Sequence, residues 1–178
     1  MLKIIATGVV VVVVLLAALL GYAATKPDTF RVERAVSINA PPERIFPLVN
    51  DFHSWGSWSP YEHRDPAMKR TYSGAPSGKG AVYEWDGDSN VGQGRMEITE
   101  TSPPAAVTIK LDFLEPFEGH NTAAFTLQPR GDSTYVTWAM YGPNTYTGKV
   151  ISVFLDVDNM VGKDFETGLA NLKTAAEK

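Results

Sequence analysis

The hydrophobic pattern opens with a segment that has no polar face. From Ile4 to Ala24 there is not one charged residue, and Val9–Val14 are six consecutive valines. At about 1.5 Å per residue such a run covers a hydrocarbon core of roughly 30 Å, and in lipid a helix is the one arrangement in which a single segment bonds its own backbone. The run exceeds the apolar region of about 7–15 residues found in a cleaved leader, although Gly21-Tyr22-Ala23-Ala24 offers a small-residue cleavage pattern. We therefore expect residues 1–25 to be an uncleaved single-pass anchor that meets the bilayer through residues 4–24, and 26–29 a linker around Lys26-Pro27-Asp28. Lys3 precedes the span, while Lys26, Arg31, Arg34 and Arg44 come after it. The positive-inside count would keep the remainder in the cytoplasm, whereas a lone N-terminal apolar segment commonly exports the domain attached to its C-terminal end. The working expectation is an extracytoplasmic domain, with the other side open.

Past Pro27 the period changes to two. Phe30, Val32, Val36 and Ile38 alternate with polar residues, as in a strand with one wet face. Ala40-Pro41-Pro42 ends it, and Pro42 with Glu43 begins a short helix to about Asn50 that buries Ile45, Phe46 and Val49 and tolerates Pro47 near its first turn. Residues 51–59 read as a second short helix or turn carrying Phe52, Trp55 and Trp58. Six further strands come next, near 68–73, 81–85, 94–101, 106–114, 121–128 and 135–141, separated by Gly-, Pro- and Asp-rich turns. Their short connections predict an antiparallel meander. Val107, Ile109, Leu111 and Phe113 share one face, and so do Val136, Trp138 and Met140.

From Tyr146 the period becomes 3.6. Val150, Phe154, Val157, Val161, Phe165, Leu169 and Leu172 form a stripe that predicts one helix of about 30 residues. A stripe this long calls for a sheet to cover it, coiled-coil pairing being the alternative. Gly148, Gly162 and Gly168 weaken helix propensity and, on the inner side, allow close approach to the sheet or leave room for a ligand.

This order of elements, together with Val36-Ser37-Ile38-Asn39-Ala40-Pro41-Pro42-Glu43-Arg44-Ile45-Phe46, Val49-Asn50-Asp51-Phe52-His53-Ser54-Trp55, Trp58-Ser59-Pro60 and the closing stretch 162–173, resembles the START-related, polyketide-cyclase-like lipid-transfer superfamily (SRPBCC). Within it the chain is most similar to bacterial members with an N-terminal anchor. The resemblance covers about residues 30–176 and implies an α+β helix-grip fold over 30–178, with a seven-stranded antiparallel sheet wrapped around a long C-terminal helix and preceded by a transmembrane helix. Members of the superfamily include lipid carriers, hormone-binding proteins, cyclases and co-chaperones, so the resemblance implies no single activity.

Composition removes several classes of function. Twenty acidic and 16 basic residues give a net charge of −4, which supplies no concentrated basic face for nucleic acid. Cysteine is absent, and with it disulfides, thiolate nucleophiles and cysteine–zinc sites. His53, His63 and His120 show no metal-ligand spacing, and the turn bearing Glu84, Asp86 and Asp88 matches no calcium loop. Gly92-Gln93-Gly94 reads as hairpin geometry, and no Gly-x-Ser-x-Gly elbow occurs. No cofactor, metal or catalytic set is expected. Arg95 and Glu97 share a parity and are read as a surface pair.

In a helix-grip fold an elongated apolar cavity can open between sheet and helix. The inward parity offers Trp85, Met96, Phe113, Phe125, Trp138 and Met140 as lining, the helix adds Phe154 and Phe165, and Trp55, Trp58 and Phe117 are candidates for the mouth. The expected function is membrane-tethered binding or transport of a small hydrophobic or lipid-like ligand by a monomeric domain. A cyclase- or dehydratase-like enzyme acting on an aromatic or polyketide-like substrate is the alternative, and a closed-core interaction module is the third reading.

Overall fold

The computed structural model describes residues 2–178, with side chains from residue 5 onward; Lys3, counted above for orientation, lies outside the described side chains. Helix α1 spans Leu2–Ala24. Its stretch Ile5–Ala24 is long and apolar enough to cross a membrane, and Val9–Val14 all face outward. The backbone divides into two compact units, residues 1–30 with 143–157, and residues 31–142 with 158–178. In the first unit, α3 (Tyr146–Phe154) lies against α1, and the Thr145 side chain caps it by accepting from the Gly148 N–H.

Seven strands form one antiparallel sheet: β1 (Thr29–Ile38), β2 (Lys69–Gly74), β3 (Ala81–Asp86), β4 (Gln93–Ser102), β5 (Ala106–Glu115), β6 (Gly119–Arg130) and β7 (Ser133–Pro143). Their order is β1-β7-β6-β5-β4-β3-β2. The first two strands are thus at opposite edges, about six strand spacings or roughly 29 Å apart. The connection between them crosses that width as α2 (Pro42–Asn50) and two 3₁₀ turns, Phe52–Ser57 and Pro60–His63. Register shifts at Gln93/Gly94 and Ile98/Glu100 bend the β4–β5 pair, as bulges do.

Helix α2 begins at Pro42, where a missing N–H costs nothing, and Glu43 lies in its first turn. Pro47 lies beyond that turn, as the sixth residue, so the Glu43 carbonyl has no helical donor there. Two indoles serve the other end: Trp55 Nε1 donates to the Val49 carbonyl at 3.2 Å and Trp58 Nε1 to the Leu48 carbonyl at 2.9 Å. Burying tryptophan is thereby coupled to satisfying helix-terminal carbonyls.

The single C-terminal helix expected from periodicity is two helices. Helix α4 covers Val157–Ala176, and Leu155 between α3 and α4 is extended, at φ −117° and ψ 130°. The break is physical: Asp156, a residue type that favours helix starts, directly precedes α4. The apolar spacing continues in phase across the break, which is why periodicity alone does not reveal it. The buried stripe is shorter than the pattern and comprises Gly162, Phe165, Gly168, Leu169, Leu172 and Ala176.

Gly168 lets α4 close on the sheet. A Cβ there would stand 2.7 Å from Trp138 Cζ3 and 3.1 Å from Pro60 Cδ. At Gly162 the atoms nearest the added carbon are all from the end of Arg34, a long side chain paired with Asp158 at 3.0 Å and Glu166 at 2.9 Å. Gly168→Ala is expected to destabilise the chain by about 1–3 kcal/mol through overpacking. Gly162→Ala should stay within about 1 kcal/mol, helix propensity offsetting weakened surface pairs. Thermal unfolding of both variants in detergent micelles checks this, and equal losses would contradict the close approach at Gly168.

Candidate functional site

Trp138 of β7 stacks on Phe165 of α4 with centroids 4.0 Å apart and planes at 9°. Its other ring neighbours include Phe125 at 5.1 Å and Trp58 at 5.4 Å, the latter edge-on. On the side of this cluster occupied by the C-terminal half of α4, the interior is solid, with Leu127, Val136, Leu169 and Leu172 at 0–2% exposure. On the other side the sheet and helix part. A cavity of about 320 Å³ opens there, within the volume range of small-ligand sites. Its apolar wall is Trp85, Met96, Leu111, Phe113, Met140 and Phe165, with Met160 and Val161 from the first turns of α4.

Polar residues come from the connection between β1 and β2. Glu62, only 8% exposed, accepts from the Tyr83 hydroxyl at 2.7 Å through one carboxylate oxygen and from Arg70 Nε at 2.7 Å through the other. Arg70 also donates to the Glu62 and Met68 carbonyls. Arg64 pairs with Asp164 of α4 and lies over the Tyr61 ring at 4.8 Å. Asp65 ties the opposite rim by accepting from the Ala67 and Asp88 N–H groups, and Trp85 Nε1 donates to the Val91 carbonyl. The charges lining the cavity, Glu62, Arg64 and Asp164, are therefore all paired. Two polar atoms of lining residues are not: Ser59 Oγ and Trp138 Nε1 are buried with no hydrogen-bond partner among the described residues.

Of the residues chosen from sequence, Trp55, Trp85, Met96, Phe113, Trp138, Met140 and Phe165 come together on the lining. Trp58 and Phe125 are fully buried behind it, in the aromatic cluster. Phe117, in the β5–β6 turn, and Phe154, at the end of α3, are 70% and 69% exposed and do not line it. Sequence reading missed Ser59, Tyr61, Glu62, Arg64, Met160 and Asp164. Residues 60–65 have no periodicity, and the partners of Glu62 lie 8 and 21 positions away. Arg95 and Glu97 pair at 2.9 Å. The three histidines have local partners: His53 is bonded to Asp51 and stacked on Tyr72, His63 is bonded to the Gly56 carbonyl, and His120 to Asp112. Among the described residues no group of three or more His, Asp and Glu is placed to hold a metal ion.

Comparison with known proteins agrees with this architecture. The family described as Polyketide cyclase / dehydrase and lipid transport matches residues 29–177. Among curated proteins none matches the chain. Several solved structures share the fold. A protein of Thermobifida fusca superimposes with TM-score 0.62 at 20% identity, covering 82% of this chain and 92% of that one. The Aha1 dimer from Colwellia psychrerythraea gives 0.60 at 16% identity, covering 83% and 96%. The di-domain ARO/CYC BexL from the BE-7585A biosynthetic pathway gives 0.63 at 14% identity, covering 89% of this chain and 53% of that one, so this chain spans about half its length. At such identities the likeness is one of fold.

Burial pushes the phenols of Tyr61 and Tyr83 well above the ordinary tyrosine range, with Asp164 and Glu62 respectively adding to the rise. A group whose pKa is raised by folding contributes stability that is complete below its unfolded value, here near 10, and that is lost as pH rises toward the folded value. Above pH 10 each should cost up to about 1.4 kcal/mol per pH unit. Denaturant unfolding of wild type and of the Tyr61→Phe/Tyr83→Phe double variant checks this. The variant should lose less stability between neutral and alkaline pH, and an identical alkaline loss would refute the assignment.

Proposed function

Because this chain belongs to the Polyketide cyclase / dehydrase and lipid transport family, we propose that it binds a small, uncharged hydrophobic molecule in the cavity beneath α4 while tethered to a membrane by residues 4–24. The observation that carries this reading is an apolar cavity of about 320 Å³ whose charged groups are already paired. A charged ligand would have to break Arg64–Asp164 or Glu62–Arg70 or be buried without a counter-ion, and either is costly. A neutral lipid-like or aromatic molecule has no such cost. The free capacity at Ser59 Oγ and Trp138 Nε1 suits a single hydrogen-bonding oxygen on an otherwise apolar ligand. We take residues 30–178 as the binding domain, as a monomer, on the extracytoplasmic side of a single-pass anchor.

Catalysis on an aromatic or polyketide-like substrate is the second reading, and the adjacent Glu62 and Tyr83 on the cavity wall speak for it. Each carboxylate oxygen already accepts a hydrogen bond, from Tyr83 and from Arg70, so a substrate proton would have to compete with these partners for Glu62, and binding ranks first. A closed-core module would fill this volume with side chains.

Paired probes test the reading. 1-Acetonaphthone and 1-ethylnaphthalene have similar size, and only the ketone accepts a hydrogen bond. Both should bind the full chain in detergent. Trp138→Phe, which removes the N–H together with part of the ring, should weaken the ketone by roughly 2- to 10-fold more than the hydrocarbon. Ser59→Ala should act in the same direction. If neither probe binds, and native mass spectrometry of the purified chain shows no co-purified apolar molecule, the binding reading fails.

A further inference from the structure

We propose that α3 is an interfacial helix that lies in the surface of the same bilayer that α1 crosses, with its apolar face turned to lipid; this rests on the membrane reading of α1. Several observations within the first unit place α3 at the end of the span. The Tyr146 hydroxyl donates to the Leu20 carbonyl of α1 at 3.0 Å. Just outside the span, the Asn144 N–H donates to the Asp28 carbonyl at 2.7 Å and Asn144 Nδ2 to the Pro27 carbonyl at 3.1 Å. Lys149 Nζ pairs with the Asp28 carboxylate at 2.5 Å. The start of α3 is thus clamped to the residues that leave the span, at the depth where a bilayer surface would lie.

The polarity of α3 is the reverse of that of a helix on a protein in water. Its one charged residue, Lys149, is 7% exposed and paired with the exposed carboxylate of Asp28, whereas Tyr146 and Phe154 are 50% and 69% exposed and Leu155, just past the helix end, is 48% exposed. At about 100° per residue, Tyr146, Val150 and Phe154 span an arc of about 80° that exposed Thr147 borders; its centre is about 100° from Lys149 and about 160° from Ser152. Ser152 satisfies its hydroxyl internally, on the Lys149 carbonyl. Tyr22, 55% exposed on the last turn of α1 with Lys26 over its ring, adds an aromatic and a cation of the kind found at membrane–water boundaries. An interfacial helix sinks its apolar face about 5–10 Å into the headgroup–acyl boundary, which would cover Phe154 and Leu155. A second copy of the chain is the competing occupant.

The absence of cysteine makes a site-specific test direct. Phe154→Cys and, separately, Val13→Cys in the full chain are labelled with a nitroxide and reconstituted into phosphatidylcholine–phosphatidylglycerol vesicles. Collision rates with oxygen, which favours lipid, and with a water-soluble nickel chelate are then compared, with the labelled free amino acid in buffer as the aqueous limit. The expected ratio at 154 is several-fold above the aqueous limit and below the mid-span value at 13. A lipid-like label at 13 with a water-like label at 154 overturns the interfacial helix and leaves the anchor intact. Water-like labels at both positions overturn the membrane reading and this inference with it. Spin–spin broadening at 154 that disappears on dilution with unlabelled chain assigns the face to a second copy instead, and overturns the proposal.

Discussion

The stack of Trp138 on Phe165 is the contact on which the interior of the larger unit depends. It joins sheet to helix at 4.0 Å, and it is possible because Gly168, one turn along α4, has no Cβ to hold the indole away. Toward the C-terminal half of α4 the space between helix and sheet is filled by the buried side chains of Leu127, Val136, Leu169 and Leu172. Toward its first turns nothing of comparable bulk enters, and the two layers stand apart. The cavity is the consequence of one close contact and of the missing side chains beyond it. Trp55, Trp58 and Phe125 support the indole from its other sides. Trp55 and Trp58 are in turn held by the carbonyls of α2, so the hydrogen bonds that end a short helix also position the floor of the site.

The electrostatics of the cavity come from where its polar residues originate. The strands contribute through inward parity, which yields apolar groups almost without exception. The charges arrive on the crossing segment between β1 and β2 and on the first turns of α4. Each has met its partner there: buried Glu62 with Arg70 and Tyr83, and the partly exposed Arg64 with Asp164. Neither pair contributes much net stability, because desolvation cancels much of the attraction at Glu62 and solvent screens it at Arg64. Their effect is to leave the cavity without a free charge, which shapes what it can hold.

Much of this was legible in the sequence. Seven strands, their antiparallel order and the inward faces of β3 to β7 arise from period-two alternation and turn chemistry, because a sheet with one wet face imposes that pattern residue by residue. Six of the eight residues selected on parity and stripe meet on the cavity wall, Trp85 and Phe113 being examples. Glu62, Tyr61 and Arg64 were not legible. They lie on or beside a 3₁₀ turn whose side chains obey no period, and their partners are set by tertiary contact. Phe125 carries the same inward signal as Trp138, and parity distinguishes inside from outside without distinguishing packed from lining. Phe117 failed for another reason: an aromatic in a turn is as readily exposed as buried.

The break between α3 and α4 shows the limit of periodicity more sharply. Phe154, Val161, Phe165 and Leu169 keep a single phase, and that phase reads as one helix against one surface. Phe165 and Leu169 are indeed covered by the sheet, at 2% exposure each, but Phe154 is 69% exposed on a helix whose lysine is the buried residue. A hydrophobic stripe records that a face is kept from water, and does not record what covers it. On α4 the cover is protein. On α3, tied by Tyr146, Asn144 and Lys149 to the end of the membrane-length helix, the apolar side looks away from the unit that holds it. Two environments have selected the same spacing, and only the placement of the charged residue separates them: Lys163 and Lys173 stay on the solvent side of α4, whereas Lys149 is buried on α3.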